Sequence, residues 1–326
     1  MNAHAYANQI LAGDRAALSR AITLAESTRP ADRSLADGIL MHCMPHTGRA
    51  LRLAVTGAPG VGKSSLIEAL GLHAVAQNTS VSVLAIDPSS TRTGGSILGD
   101  KTRMPALSRH DRAYVRPSPS AGSMGGIRRA TRDSMLMCEA AGFRVVMIET
   151  VGAGQSEYTA RHIADLVLVL VQPHAGDELQ GIKQGVLEVA DMVAVTKSDH
   201  NAVRAAQATL RQYRRALAAS PARPHGVPVM ACSAVTGEGI ADLWQVLRTC
   251  EDARRSSGEL KKIRSSQVLD VILEESGSAL VDKLLEYSRG RTSLRDLCQK
   301  VESGQLSVRA ATQRIVSSFL RDSQES

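Results

Sequence analysis

Leu51-Arg52-Leu53-Ala54-Val55-Thr56-Gly57-Ala58-Pro59-Gly60-Val61-Gly62-Lys63-Ser64-Ser65 runs a short apolar strand into the pattern G-x-x-x-x-G-K-[ST] and on into a helix, Ser65 to Ala76. Strand, glycine-rich turn and helix in that order are the context a phosphate loop needs. The glycines let backbone N–H groups converge on phosphate oxygens, and the helix N-terminus adds a favourable dipole. Lys63 is expected to reach the β- and γ-phosphates and the Ser64 hydroxyl to take a magnesium ion. Gly57, Ala58, Pro59, Gly60, Val61, Gly62, Lys63, Ser64 and Ser65 are therefore the expected nucleotide cradle.

From Leu51 onward six apolar runs alternate with helical stretches: Leu51 to Thr56, Val81 to Ile86, Arg144 to Ile148, Leu166 to Val171, Met192 to Val195 and Val227 to Ala231. The alternation predicts an α/β fold, a doubly wound and mostly parallel sheet. With two Phe and one Trp in 326 residues, the core must be built from aliphatic side chains and Met, which suits such a sheet. Residues 1–48 read as a helical extension, with Ile10, Leu11, Leu18, Ile22 and Leu24 at helical spacing and Pro30 and Pro45 as punctuation. The phosphate-loop domain then spans 49–250. Residues 251–326 read as a charged helical segment. It has one apolar stripe through Val268, Ile272, Leu273, Leu280, Leu284 and Leu285, and another through Val308, Ile315, Val316, Phe319 and Leu320. Those stripes could pack on the domain or on a second copy, and a dimerisation arm is the expectation. Asp87 to Gly126 breaks the rhythm and reads as one long Gly-, Ser-, Pro- and Arg-rich loop over the nucleotide. Ser220 to Pro228 is a second, proline-rich loop.

Three further motifs choose the base and locate the γ-phosphate. Thr196-Lys197-Ser198-Asp199 follows a late strand and is a variant of N-K-x-D. The Asp199 carboxylate would accept hydrogen bonds from the ring N–H and exocyclic amine of guanine, which adenine cannot offer, and Lys197 would lay its stem along the base. Thr196 stands where the motif has Asn, whose amide braces the phosphate loop, so the brace is in question. The next strand ends in Cys232-Ser233-Ala234-Val235, similar to the S-A motif whose backbone N–H meets guanine O6. The strand Arg144 to Ile148 runs into Glu149-Thr150-Val151-Gly152, a D-x-x-G pattern with Glu in place of Asp. Glu149 would bear on magnesium and Gly152 on the γ-phosphate. Ala153 occupies the position from which a Gln orients the attacking water in Ras-like proteins, so intrinsic hydrolysis is expected to be slow.

Taken with these motifs, four longer stretches resemble the GTPase chaperones of adenosylcobalamin-dependent methylmalonyl-CoA mutase, a group related to nickel-insertion GTPases. They are Asp87-Pro88-Ser89-Ser90 with Gly94 to Met104, Arg116-Pro117-Ser118-Pro119-Ser120, Glu149 to Glu157, and Gly176-Asp177-Glu178-Leu179-Gln180-Gly181-Ile182-Lys183. The resemblance runs from about Leu51 to Trp244, and more loosely through both helical ends, and departs from the family at Ala58, Ser65, Ala153 and Thr196. It implies that Asp87 and Asp100 join Ser64 and Glu149 around the metal, that Gly152 to Glu157 form a second switch, and that Gln172 to Lys183 form a third that answers to the mutase. Lys63, Glu149, Gly152 and Lys183 are the catalytic set on this reading. It also implies GTP/GDP and Mg²⁺ as ligands, a B12-dependent acyl-CoA mutase of the methylmalonyl-CoA type as partner with its adenosyltransferase as a second, and a homodimer.

Composition trims the alternatives. A formal net charge of +7 could point to nucleic acid, but no basic patch is interleaved with stacking aromatics. Five scattered cysteines argue against a disulfide framework, and the longest apolar stretch, Leu166 to Val171, is too short to cross a bilayer. A cytoplasmic protein without nucleic-acid or membrane partners is expected. A kinase of a small molecule or protein would share the phosphate loop but not the guanine motif. A metal-insertion role rests on His42, Cys43 and His46 lying close in sequence.

Overall fold

The computed structural model describes the chain except residues 1, 88–102, 120–123, 151–160, 174–188, 219–225, 290–292 and 325–326, and except the side chains of 86–87, 118–119, 124–128, 201, 288–289, 293 and 323–324. Seven strands, β1 (Leu51–Gly57), β2 (Val81–Asp87), β3 (Ala113–Pro119), β4 (Val145–Glu149), β5 (Leu166–Val171), β6 (Met192–Val195) and β7 (Val229–Ala231), form one sheet in the order β3-β2-β4-β1-β5-β6-β7. Every adjacent pair is parallel. Strand order reverses around β1, which lies between β4 and β5, and ligands of open α/β sheets bind beyond the carboxyl ends of the strands at such a point.

The sheet is buried on both faces, and β5 shows how sequence divides between them. Leu166, Leu168 and Leu170 join β1 and the helices Lys63–Ala76 and Ile240–Ser256 on one side. Val167, Val169 and Val171 join the helix Val203–Ala218 on the other. The remainder of that second face, at Leu84, Val146 and Ile148, is covered by the helix Met124–Ala140 and by three N-terminal helices, α1 (Ala3–Leu11), α2 (Arg15–Glu26) and α3 (Pro30–Cys43). Local chemistry starts these helices: Asn2 accepts from the Ala5 N–H at α1, Asp14 accepts from the Ala16 and Ala17 N–H groups at α2, and Pro30 opens α3.

The expectation of one loop over Asp87 to Gly126 is corrected here. Within it lie the short helix Pro105–Ser108 and the edge strand β3. Pro117 and Pro119 disguised the strand, yet an edge strand needs only alternate N–H groups for its single neighbour, and these prolines share one parity. The outer side of β3 meets α2: Arg116 donates to Ser19, Thr23 and the Glu26 carboxylate at 3.0, 3.2 and 2.6 Å.

Two compact units divide the chain, Met1–Gln267 and Val268–Ser326. The long helix Glu259–Arg289 begins in the first unit. There its root is tied to the N-terminal rim of the sheet by ionic contacts. Arg264 donates from Nε to Asp165 Oδ1 at 2.8 Å, from Nη2 to Asp165 Oδ2 at 2.6 Å and to Ala50 O at 2.7 Å, and from Nη1 to Gly48 O at 2.7 Å. Gln267 donates to the carbonyls of Arg161 and Ala164, while Arg254 and Arg161 share the Asp191 carboxylate. Burial works against the Arg264 charge, but the Asp165 carboxylate more than offsets it and holds the guanidinium above its ordinary pKa. The Asp165 side chain is only 1% exposed. Arg264→Met should therefore leave a buried carboxylate without its guanidinium and cost about 3–5 kcal/mol. Urea unfolding of the two proteins would measure the difference; a loss under 1 kcal/mol would show that water or another cation replaces Arg264.

Candidate functional site

The motif loops converge at the carboxyl rim of the sheet because the parallel ladder carries each strand one residue past its neighbour. Thr150 N–H donates to Val55 O at 3.1 Å, Thr196 N–H to Val171 O at 2.8 Å and Cys232 N–H to Val195 O at 2.9 Å. These bonds seat Glu149, the 196–199 motif and the 233–235 motif beside the phosphate loop. At its start the loop has no room for a side chain: Gly57 has φ 149°, and a Cβ there would lie 2.5 Å from Leu170 O. Gly62, at φ 98°, turns the chain into the helix Lys63–Ala76.

Four carbonyls of the loop are held by side chains. Lys63 Nζ donates to Gly57 O at 2.8 Å and Ala58 O at 3.1 Å; Lys197 Nζ donates to Gly60 O at 2.7 Å; and the Thr196 hydroxyl donates to Val61 O at 2.7 Å. Within one planar peptide unit the carbonyl and the following N–H point in opposite directions. Holding the Val61 carbonyl toward the 196–199 segment therefore turns the Gly62 N–H away from it, in the sense an anion cradle requires, while the Val61 N–H donates to Ala58 O at 3.3 Å. Thr196 thus supplies the brace that its replacement of Asn left in question, with the hydroxyl proton in the role of an amide N–H. Its oxygen also lies 3.2 Å from Val171 O, so the one proton has two acceptors and the shorter contact is to the loop.

The Ser64 hydroxyl donates to Glu149 Oε1 at 2.7 Å, across 85 residues of sequence. Two hard oxygen donors at the start of a helix and the end of β4 suit a magnesium ion better than a softer metal. The helix N-terminus and Lys63 favour the phosphates that would complete its coordination. On the base side, Ser233 Oγ donates to Asp199 Oδ2 and accepts from the N–H groups of Val235 and Thr236, both at 3.2 Å. This fixes Asp199 beside the 233–235 turn, with Lys197 in the left-handed region at φ 52°. Val235 is 81% exposed and Ala234 half-buried.

Of the residues expected from sequence, Gly57 to Ser65, Glu149, Thr196, Lys197, Asp199 and Ser233 to Val235 lie along this rim. Asp87 ends β2 there, though its side chain lies outside the described residues, as do Asp100, Gly152 and Lys183. Pattern reading missed Gly239, at the close of the turn after Ser233, because a lone glycine ahead of a helix carries no motif. Near α3, His42 packs edge-on against His4 with ring centroids 4.9 Å apart, and burial pushes the Cys43 thiol up to about 11. Among the described residues no group of three or more His, Cys, Asp or Glu is placed to hold a metal ion, and no helix is long and apolar enough to cross a membrane.

Comparison with known proteins agrees with this geometry. The family described as methylmalonyl Co-A mutase-associated GTPase MeaB matches residues 18–289. A protein described as a probable GTPase of Mycobacterium tuberculosis is 45% identical over 315 residues, covering 95% of this chain and 93% of its own. GTPase ArgK of Escherichia coli is 38% identical over 310 residues, covering 93% and 92%. The mitochondrial methylmalonic aciduria type A homolog of Mus musculus is 38% identical over 326 residues, covering 95% and 78%. Among solved structures, one described as a LAO/AO transport system kinase superposes with a TM-score of 0.78 at 30% identity, covering 98% of this chain and 97% of that one.

If the Thr196 hydroxyl holds the phosphate loop, Thr196→Val should release GDP about tenfold faster, the cost of one buried carbonyl left without a donor, and Thr196→Ser should stay close to the parent. Stopped-flow displacement of a fluorescent GDP analogue reads this directly. Equal release from all three proteins would show that the hydroxyl does not brace the loop.

Proposed function

This chain belongs to the family of methylmalonyl-CoA mutase-associated GTPases, and from that premise we propose that its GTP hydrolysis gates a complex with a B12-dependent acyl-CoA mutase while that enzyme's cofactor is loaded, protected or exchanged. The observation that carries the proposal is the physical coupling of base and phosphate recognition: Thr196 and Lys197 of the guanine motif hold the Val61 and Gly60 carbonyls of the phosphate loop. A guanine seated on Asp199 is thereby linked to the position of the loop that carries its phosphates.

In this reading Mg²⁺ is held by Ser64 and Glu149, with Asp87 and Asp100 completing the protein's share of its ligands. The ion supplies neutralisation of the charge that builds between the β- and γ-phosphates. Lys63 shares that charge, the Gly152 N–H senses the γ-phosphate, and Lys183 belongs to the segment that answers to the partner. With Ala153 after the sensing glycine, nothing at that position orients water, so turnover is slow and a partner completes or releases it. Methylmalonyl-CoA mutase is the partner most in keeping with the family, with its adenosyltransferase as a second, in the cytoplasm. Exposed apolar side chains on the helix beyond Gln267, among them Leu269, Leu273 and Leu280 at 56%, 63% and 58%, support use of residues 251–326 as a homodimerisation arm.

Calorimetry should give guanosine nucleotides an affinity at least about 100-fold above adenosine nucleotides, because Asp199 forms charge-assisted bonds that only guanine can donate. Asp199→Asn should shift the preference toward xanthosine nucleotides, whose ring presents an acceptor where guanine has its amine. Parity between GTP and ATP would refute the base assignment. Gating is tested separately by co-elution with purified methylmalonyl-CoA mutase: the complex should differ in stability between a non-hydrolysable GTP analogue and GDP, and the same elution in both would remove the gating step while leaving the GTPase intact.

A further inference from the structure

The turn that follows β7 is closed almost entirely on itself. Ser233 N–H donates to Glu238 O at 2.9 Å and Gly237 N–H to Ser233 O at 3.0 Å; Val235 and Thr236 N–H donate to Ser233 Oγ, both at 3.2 Å, and Glu238 N–H donates to Thr236 Oγ1 at 3.4 Å. Of the backbone donors from 233 to 238, the half-buried Ala234 N–H is the one with no acceptor among the described residues. A turn that uses every other N–H and leaves this one open has a donor to spare for a ligand. Asp199 is tied to the same turn, because Ser233 Oγ donates to its carboxylate. The turn thus governs a donor and a carboxylate together, the pair that a guanine edge requires.

What fixes the turn is its far end. Gly239, at φ 73°, is the last residue before the helix Ile240–Ser256, and a Cβ on it would run into the Ala231 carbonyl oxygen and lie 3.2 and 3.3 Å from Cys232 Cα and Cβ. Both sides of that contact are anchored. Cys232 N–H donates to Val195 O at 2.9 Å and Cys232 O accepts from Ser198 N–H at 3.2 Å, which pins the end of β7 to β6 and to the 196–199 motif. Ile240, Leu243 and Leu247 hold the start of the helix in the core cluster that also contains Cys232.

We propose that Gly239 is a positioning residue for the base: by closing directly onto the Ala231 carbonyl it sets the Glu238 carbonyl against Ser233 N–H, and so holds the open Ala234 N–H and the Asp199 carboxylate where guanine is received. Gly239 itself touches no nucleotide. The proposal rests on the guanine reading of the site. It assigns to Gly239 a share in base selection and none in the grip on phosphate, since the braces of the phosphate loop come from Lys63, Thr196 and Lys197.

The test measures GDP and ADP affinity by calorimetry for the full-length parent, Gly239→Ala, Glu238→Gly and Gly258→Ala. Glu238→Gly introduces no clash and only loosens the backbone that carries the carbonyl. Gly258→Ala controls for backbone strain alone, since Gly258 has φ 75° and nothing within 4 Å of a Cβ. In Gly239→Ala the GDP affinity should fall at least about tenfold while ADP affinity stays within about twofold, so that the preference for guanine drops by the same factor. Glu238→Gly should lower the preference about threefold. Gly258→Ala should leave it at the parental value. An unchanged preference in Gly239→Ala would overturn the proposal, as would an equal loss for GDP and ADP, which would mean that the phosphate loop or the whole fold had been disturbed. If Gly239→Ala does not fold, Glu238→Gly decides, and a parental preference there overturns the proposal. A parent without preference for GDP over ADP would overturn the functional reading and this proposal together; a selective parent with equally selective variants would overturn only the role of Gly239.

Discussion

Gly57 approaches the Leu170 carbonyl so closely that no side chain fits between them. That contact is a product of the parallel pairing of β1 with β5, in which Gly57 stands opposite Leu170. It decides where the chain can turn out of the sheet. A residue with a Cβ would force β1 and β5 apart or end the strand earlier, and the loop would then no longer face the ends of β4 and β6. The glycine-rich turn is therefore a packing requirement first. The phosphate cradle is what the turn makes possible once it sits where strand order reverses.

The rim then works as a set of cross-braces between segments far apart in sequence. Thr196 and Lys197 hold loop carbonyls, Ser64 meets Glu149, and Ser233 meets Asp199. Each brace joins a residue from one strand end to a residue from another, so displacement of one motif is felt by its neighbour. Rigid strands supply the positions and short polar side chains supply the links. A fold built this way can let phosphate, metal and base influence one another without any large movement of the sheet.

Legibility differed sharply between the two rims. At the carboxyl rim, contiguous motifs announced themselves: Gly57 to Ser64, Thr196 to Asp199 and Glu149 to Gly152 each follow an apolar run, and their order alone specifies a nucleotide fold. The β5 alternation of Leu and Val was equally plain. The edge strand β3 was hidden because Pro117 and Pro119 are read as breakers, a rule that holds for central strands and relaxes at an edge. Gly239 was invisible for a different reason: what it meets is the Ala231 carbonyl, and backbone oxygens leave no trace in residue type. The brace from Thr196 was underrated because the motif was judged by side-chain identity, whereas the geometry asks only for one donor near Val61 O. At the amino rim nothing was legible, since an Asp at 165 or 191 and an Arg at 254 or 264 are individually ordinary and only the fold brings them together.

That amino rim also governs where this polypeptide can be cut. Apolar periodicity suggests severing the globular part near residue 250, ahead of the long charged helix. A fragment ended there would lack Arg254, Arg264 and Gln267, leaving Asp165 with the Arg52 N–H but without the Arg264 guanidinium and Asp191 without Arg254, while the carbonyls of Gly48, Ala50 and Ala164 would lose their donors. The minimal excisable nucleotide-binding fragment thus carries the first two and a half turns of that helix as an integral strut. Anyone trimming the chain for crystals, or grafting the G domain onto another scaffold, has to keep those turns even when everything beyond them is discarded.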